Sequence, residues 1–367
     1  MTRSLCALLG LLFSAPAAAA EEPALFPIWT PQKNVGYIDA TGRVVIPPRF
    51  DGSAGNQFDF HEGLAPASEP GGHRGYIDSA GRFAIAPAFS DAHEFSEGLA
   101  FVHVLTPRGE SDGTAFIDRT GRHVIAWKYT GSEAPDVRYA RRFSEGLAAV
   151  GWTREFKDTD SVFKQETNWG FVDKTGTLVI PAQFSHAGEF SEGLASVSFG
   201  QMWKNEKVTC GYVDRAGKLL FQGPYTSCAP FKQGLAPVSS WIDGVERHGY
   251  VDKTGKLVLP LKYAAATQFS EGLACVQEGV KAGFIDAKGA YVIKPVYAWC
   301  DSFSEGLARV ATTESAGFVD KTGKLVISGR FGPMTGFRSG LASVIDEKTA
   351  AYIDRTGKRV WSGPRPD

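Results

Sequence analysis

The chain has 367 residues, with 39 Lys+Arg against 40 Asp+Glu, a formal net charge of −1 and a sequence pI of about 6.7. That balance excludes a globally basic surface of the kind that holds nucleic acid or an anionic membrane. Hydrophobic residues at 43% and aromatics at 12% exclude disorder as the main state, while 42 glycines and 20 prolines describe a chain that turns often.

Residues 1–20, MTRSLCALLGLLFSAPAAAA, read as a leader. Arg3 supplies a positive start, Leu5 to Phe13 is a short apolar run, and Ala18, Ala19 and Ala20 precede Glu21 and Glu22. This is the pattern of a cleavable signal peptide, with cleavage expected after Ala20. The run is far shorter than the roughly 18 residues of a membrane span, and no later stretch could form one. Cys6 lies in the run without the small-residue pattern of a lipoprotein anchor. The expectation is an exported protein, periplasmic or secreted. Four cysteines then remain, Cys210, Cys228, Cys275 and Cys300. They permit two disulfides in three pairings, of which neighbour pairing is the simplest, or four buried free thiols. None of the spacings is C-x-x-C, so neither a zinc knuckle nor a thioredoxin motif is indicated.

From residue 26 onward one segment is written nine times: GYIDATGRVVI at Gly36, GYIDSAGRFAI at Gly75, AFIDRTGRHVI at Ala115, GFVDKTGTLVI at Gly170, GYVDRAGKLLF at Gly211, GYVDKTGKLVL at Gly249, GFIDAKGAYVI at Gly283, GFVDKTGKLVI at Gly317 and AYIDRTGKRVW at Ala351. Its aspartates are Asp39, Asp78, Asp118, Asp173, Asp214, Asp252, Asp286, Asp320 and Asp354, with separations of 39, 40, 55, 41, 38, 34, 34 and 34. A second segment alternates with the first: FHEGLA at Phe60, FSEGLA at Phe95, Phe143, Phe190, Phe269 and Phe303, FKQGLA at Phe231 and FRSGLA at Phe337. Such a period is the signature of a repeat architecture.

Each position has a physical reading. An aromatic and a β-branched residue begin a strand. Asp-x-x-Gly is a turn, in which the aspartate accepts from the backbone and glycine takes the left-handed conformation. A continuous apolar triplet such as Leu178, Val179 and Ile180 predicts a strand buried on both faces. Pro47, Pro87, Pro181, Pro260 and Pro295 are placed to end it. After Gly-Leu-Ala comes a further strand, and Phe26-Pro27-Ile28-Trp29 supplies a degenerate first one. The unit is therefore a three-stranded meander A–B–C, and the stretch from Ile180 to Phe190 serves as the connection crossing beneath it, with Phe184 and Phe190 packed underneath. The array is assigned to residues 21–362, followed by a tail at 363–367.

The alternation of G-[YF]-[IV]-D-x-x-G with F-S-E-G-L-A resembles the WG (KWG) repeat family over roughly residues 26 to 362. The family-naming pair occurs once, at Trp169-Gly170; elsewhere Val35, Arg74, Cys210, His248, Ala282 or Ala316 precedes the glycine. The resemblance implies a repeat module associated with binding and does not imply an enzyme. Nine three-stranded units favour an all-β, open, curved β-solenoid; the alternative is a closed propeller-like ring, typically of four to eight blades with four strands each.

A site is sought where the repeats differ. From the alanine of Gly-Leu-Ala to the next hairpin aromatic the separations are 11, 16, 23, 17, 14, 10, 10 and 10, so the A–B turns after units 2 to 5 are long. They carry Trp152, Phe156, Trp203, Lys204, Trp241 and Arg247, aromatic and charged residues on loops over a rigid scaffold, which is the composition of a recognition lip. The bland reading is that these aromatics fold back onto their own loops. The carboxylates (the nine aspartates, with Glu62, Glu97, Glu145, Glu192, Glu271 and Glu305) recur with the period, which assigns them to folding; a glycoside hydrolase needs one dedicated pair. The histidines are His61, His73, His93, His103, His123, His186 and His248. Five fall in the first three units, with neither an i, i+2 nor an H-E-x-x-H spacing, so scattered histidines without a metal site are expected. No calcium loop, nucleophile elbow or phosphate loop is present. The reading is an exported, non-catalytic module that binds a protein or a cell-envelope polymer, with no cofactor and no nucleic acid. The alternative is a carbohydrate-active hydrolase.

Overall fold

Asp39 shows the local chemistry from which each repeat is built. One carboxylate oxygen accepts from the Thr41 N–H at 2.9 Å, the Thr41 hydroxyl at 2.6 Å and the Arg43 N–H at 3.1 Å. Its carbonyl takes the Gly42 N–H at 3.0 Å, and Gly42 sits at φ +85°, where a side chain would be strained. The same backbone bonds recur at all nine hairpin aspartates, Asp354 included. Each closes the turn between strands B and C of its repeat, numbered here 1 to 9 in chain order.

The computed structural model describes residues 24–365 apart from 54–57, 130–134, 158–162, 201–205, 314, 330, 333 and 348; the expected leader at 1–20 lies outside them. The described residues are strands and turns with no helix. Hydrogen bonding joins the strands into eight sheets: a three-stranded first sheet, five four-stranded sheets, a three-stranded last sheet, and a six-stranded one holding repeats 2 and 3. In the last, the single strand Phe83–Ala92 pairs back with Arg74–Ile77 and onward with Leu99–Leu105. All pairings are antiparallel.

Three sequence expectations are corrected. In the five four-stranded sheets the connecting stretch does not cross beneath the unit as coil. It supplies a fourth strand ahead of A, as where His186–Ser191 pairs with Leu194–Phe199. The apolar triplet is not buried on both faces. Leu178 and Val179 are 47% and 38% exposed while Ile180 is buried, because strand C lies at the edge of its sheet with one face toward water. Nor do the prolines end this strand: Pro181 lies within Leu178–Phe184. The register slips there, between Trp169↔Phe184 and Phe171↔Ile180, and a bulge on an edge strand tolerates the missing N–H.

The apolar packing lies between repeats. Phe171 and Ile180 of repeat 4 share a core with Ala187, Phe190 and Val197 of repeat 5, and equivalent cores lie between the other neighbours. The described residues form nine such clusters. An open row of nine repeats has only eight interfaces. The ninth cluster joins Phe26, Ile28 and Ile38 of repeat 1 to Leu341 and Tyr352 of repeat 9. The array is therefore a closed propeller-like ring, and the open solenoid is overturned by that contact.

The second segment couples neighbours polarly as well. Gly98 N–H donates to the Glu62 carboxylate of the previous repeat at 3.0 Å, and Gly146 to Glu97, Gly193 to Glu145, Gly234 to Glu192, Gly272 to the Gln233 side chain, Gly306 to Glu271 and Gly340 to Glu305 follow suit. The segment serine reaches the next phenylalanine carbonyl, as from Ser144 to Phe190 at 2.7 Å. Two disulfides also span interfaces: Cys210–Cys228 between repeats 5 and 6, and Cys275–Cys300 between repeats 7 and 8.

Two outcomes follow. The Thr41 hydroxyl, then backbone and Arg43 donors, hold the Asp39 carboxyl at about 2, and threonine hydroxyls lower Asp118, Asp173, Asp252, Asp320 and Asp354 in the same direction. The unfolded chain, with carboxyls near 3.9, then binds more protons on acidification, so this stabilisation is present above about pH 4 and lost as the pH falls through the folded values. Thermal unfolding midpoints should hold between pH 7 and 5 and fall steeply toward pH 2, checked by circular dichroism. Replacing Cys275 and Cys300 together by alanine should cost about 3.5 kcal/mol in urea unfolding, the loop-entropy value for a closure of 25 residues.

Candidate functional site

An A–B–C meander puts its A–B turns at one end of the strands and its B–C turns at the other. The B–C end is occupied by structure: Lys174 of repeat 4 reaches the Glu97 carboxylate at 3.1 Å, and Lys253 and Lys321 do the same to Glu192 and Glu271. The segment glutamates and hairpin aspartates are thus engaged in turns and repeat-to-repeat bonds, each within its own interface. No two of them are gathered as a dedicated pair in these contacts.

The A–B end carries the variable turns. In repeat 4 the strands Leu147–Lys157 and Phe163–Asp173 pair in unbroken register from Leu147↔Asp173 to Lys157↔Phe163. Cross-strand contacts stiffen the extension: Thr153 and Thr167 hydroxyls at 2.8 Å, Arg154 with Glu166 at 2.6 Å, and Gln165 donating to Glu155 at 3.0 Å. Trp152 is half-buried, packed against the core shared by repeats 3 and 4. Its exposed side lines a groove of about 540 Å³ with Pro135, Arg154, Glu166 and Asn168. Phe156 pairs with Lys164 along the backbone; its side chain, with Trp203 and Lys204, lies outside the described residues. In repeat 6, Leu235–Ile242 and Val245–Asp252 form a tight hairpin around Asp243-Gly244. Trp241 is 62% exposed there, beside Ile242 at 41% and Val245 at 47%. Arg247 stands opposite Ser240. Trp152 has thus turned partly into its own fold, and Trp241 has not.

Sequence reasoning missed a second concave feature, where the ring closes. Phe26, Pro27, Trp29, Phe58, Arg338 and Tyr352 help to line a cavity of about 340 Å³. The registers place Phe26 where repeat 2 has Ala65, and Arg338-Ser339 stand where five of the other segments have Ser-Glu. The closing interface is accordingly bonded differently. Arg338 pairs with Asp59 at 2.7 Å and lies 5.9 Å over the Phe26 ring, and the buried Tyr352 hydroxyl donates to the Pro27 carbonyl at 2.8 Å. Burial, then the nearby Asp59 charge, pushes the Tyr352 hydroxyl well above its ordinary range. The signal available was the departure of FRSGLA from the repeating segment.

Two of the histidines expected to be scattered lie near each other beside an aspartate. Asp91, His93 and His103 come together, each offering a ligand atom within 4.8 Å of the others. Two neighbouring strands achieve this by register, which histidine spacing alone does not reveal.

Among family models, that of the WG-containing repeat matches residues 36–69, 75–103, 169–203, 211–240, 249–281, 283–312 and 317–347, together more than half of the chain. Among solved structures the chain is similar to a eukaryotic initiation factor, at 12% identity over 94% of this chain and 97% of that one, with a TM-score of 0.64. That is a likeness of fold alone. Apo AztD from Citrobacter koseri aligns at 13% identity over 94% and 96% of the two chains with a TM-score of 0.47, too low to carry an argument. No curated protein matches the chain.

At the closing interface, Tyr352→Phe leaves a buried carbonyl without its donor and should cost about 1–3 kcal/mol. Arg338→Ala breaks a half-exposed ion pair and should cost about 1 kcal/mol or less. Urea unfolding of the two variants should rank them in that order.

Proposed function

Because the chain belongs to the WG-containing repeat family, we propose that it is an exported, non-catalytic binding or scaffolding module whose ligand is a protein or a cell-envelope polymer. The A–B hairpins of the middle repeats supply the contact surface. The observation that carries this reading is the hairpin tip of repeat 6. Trp241, Ile242 and Val245 together expose an apolar patch on a fully paired ladder, and a pre-ordered aromatic anchor loses little entropy when it is covered. The Trp152 groove on repeat 4 adds a second contact of mixed character, apolar with the Arg154–Glu166 pair at its side. Export is supported by the composition of residues 1–20 and by two disulfides, which persist in oxidising compartments.

The test is a capture experiment from envelope extract with the mature protein, beside a Trp241→Ser/Val245→Ser variant. Both positions are exposed, so the variant should keep its melting temperature. A partner held by the parent should be lost by the variant, with affinity down by about 30-fold if Trp241 is a hot spot near 2 kcal/mol. Equal capture by both proteins contradicts this surface. Turnover of a polysaccharide, abolished by a single carboxylate change, contradicts the non-catalytic reading.

A further inference from the structure

The junction of repeats 2 and 3 holds a cluster that neither the fold nor the binding surface uses. The strands Phe83–Ala92 and Leu99–Leu105 place Asp91 opposite His103 and Ala92 opposite Val102, and the next residue, His93, donates its N–H to the Phe101 carbonyl at 2.9 Å. With side chains alternating along a strand, Asp91 and His93 share one face, and Phe101 and His103 share the same face next door. The Phe101 ring makes an edge contact with each imidazole, with centroids 5.5 Å from His93 and 5.4 Å from His103, and so limits how each can turn.

The polar surroundings divide the donor atoms. One Asp91 oxygen faces Arg74 at 3.4 Å and the other faces His93 Nε2 at 3.6 Å. His103 Nδ1 lies 3.5 Å from the Tyr129 hydroxyl. Partners of this kind orient ligating side chains in metal sites.

We propose that Asp91, His93 and His103 bind a divalent transition-metal ion of the zinc class through two imidazole nitrogens and one carboxylate oxygen, with solvent completing the coordination. Two nitrogens among three donors select against calcium and magnesium, which take oxygen. Tetrahedral zinc with bonds near 2.0 Å sets its ligand atoms roughly 3.3 Å apart. Asp91 and His93 are already at 3.6 Å, and all three ligand atoms lie within 4.8 Å of one another, so a modest side-chain adjustment reaches that spacing. Asp91 and His93 are partly solvent-facing, which leaves an entry path. The Arg74 charge works against the cation, so affinity is expected to be moderate. A bound ion would cross-link the two strands on which repeat 3 begins.

The test uses tag-free, chelator-treated full-length protein, titrated calorimetrically with zinc and, separately, with cobalt(II) followed by its visible absorption. The expected result is one equivalent of zinc per chain, a cobalt spectrum of nitrogen/oxygen coordination, and a raised melting temperature on loading. Asp91→Asn and His103→Gln should each weaken binding by about 10-fold or more, while His123→Gln leaves it unchanged. His93→Gln serves as the third substitution should either of the others fail to fold. No zinc bound at millimolar concentration overturns the proposal, as does stoichiometric binding that survives these substitutions. Its failure leaves the hairpin binding surface untouched, since Trp241 is not part of it.

Discussion

Each repeat completes its apolar core only against its neighbours, and that constraint governs the whole molecule. A single meander of three or four short strands has two faces, and neither Phe171 nor Ile180 could leave water without a neighbour. The segment F-S-E-G adds direction to this packing. Its serine and glutamate both point to the following repeat, the one to a phenylalanine carbonyl and the other to a glycine N–H. A row built this way would end in two raw faces. Closing the row removes both, and the cluster around Phe26 and Tyr352 is where that happens.

The closing interface departs furthest from the pattern. Glutamate is replaced by Ser339, serine by Arg338, and the recurring small residue at the start of strand A by Phe26. The substitutions are complementary, since a larger ring fills the core and a guanidinium bridges to Asp59. The same departures leave a cavity there, so the molecule has two distinct surfaces of interest: an edge of variable hairpins, and a seam. The former displays apolar side chains on rigid ladders, and the latter is enclosed by residues already bonded to each other.

Much of the repeat was legible in the sequence for a local reason. Asp39 and Gly42 specify a hairpin within four residues, and nine copies of that turn count the units. The disposition of strands was less legible. Leu178-Val179-Ile180 looks like a buried run, yet only Ile180 faces the neighbouring repeat, because an edge strand with a proline bulge presents the others to water. Closure was not legible at all from spacing. Its contacts join Arg338 to Asp59 across 279 residues and Tyr352 to Pro27 across 325, and no local pattern encodes a meeting at that range. The Asp91, His93 and His103 cluster escaped for a similar reason, since strand register brings His103 in and the chain separates it from His93 by a full turn and strand. The exposure of Trp241 was legible because an aromatic at a turn is visible in sequence, whereas the half-burial of Trp152 depends on the neighbouring repeat.

Ring closure is the claim on which the placement of every surface depends. It is tested most directly by the distance between the A–B turns of the first and last repeats, read by pulsed electron spin resonance from labels at Lys33 and Glu347. In a closed ring these turns belong to neighbouring sheets, and the distribution should be narrow and centred at about 10–20 Å, one sheet spacing with allowance for the labels. An open row of nine stacked repeats would hold them eight spacings apart, about 80 Å, and a distribution near that value would contradict the account.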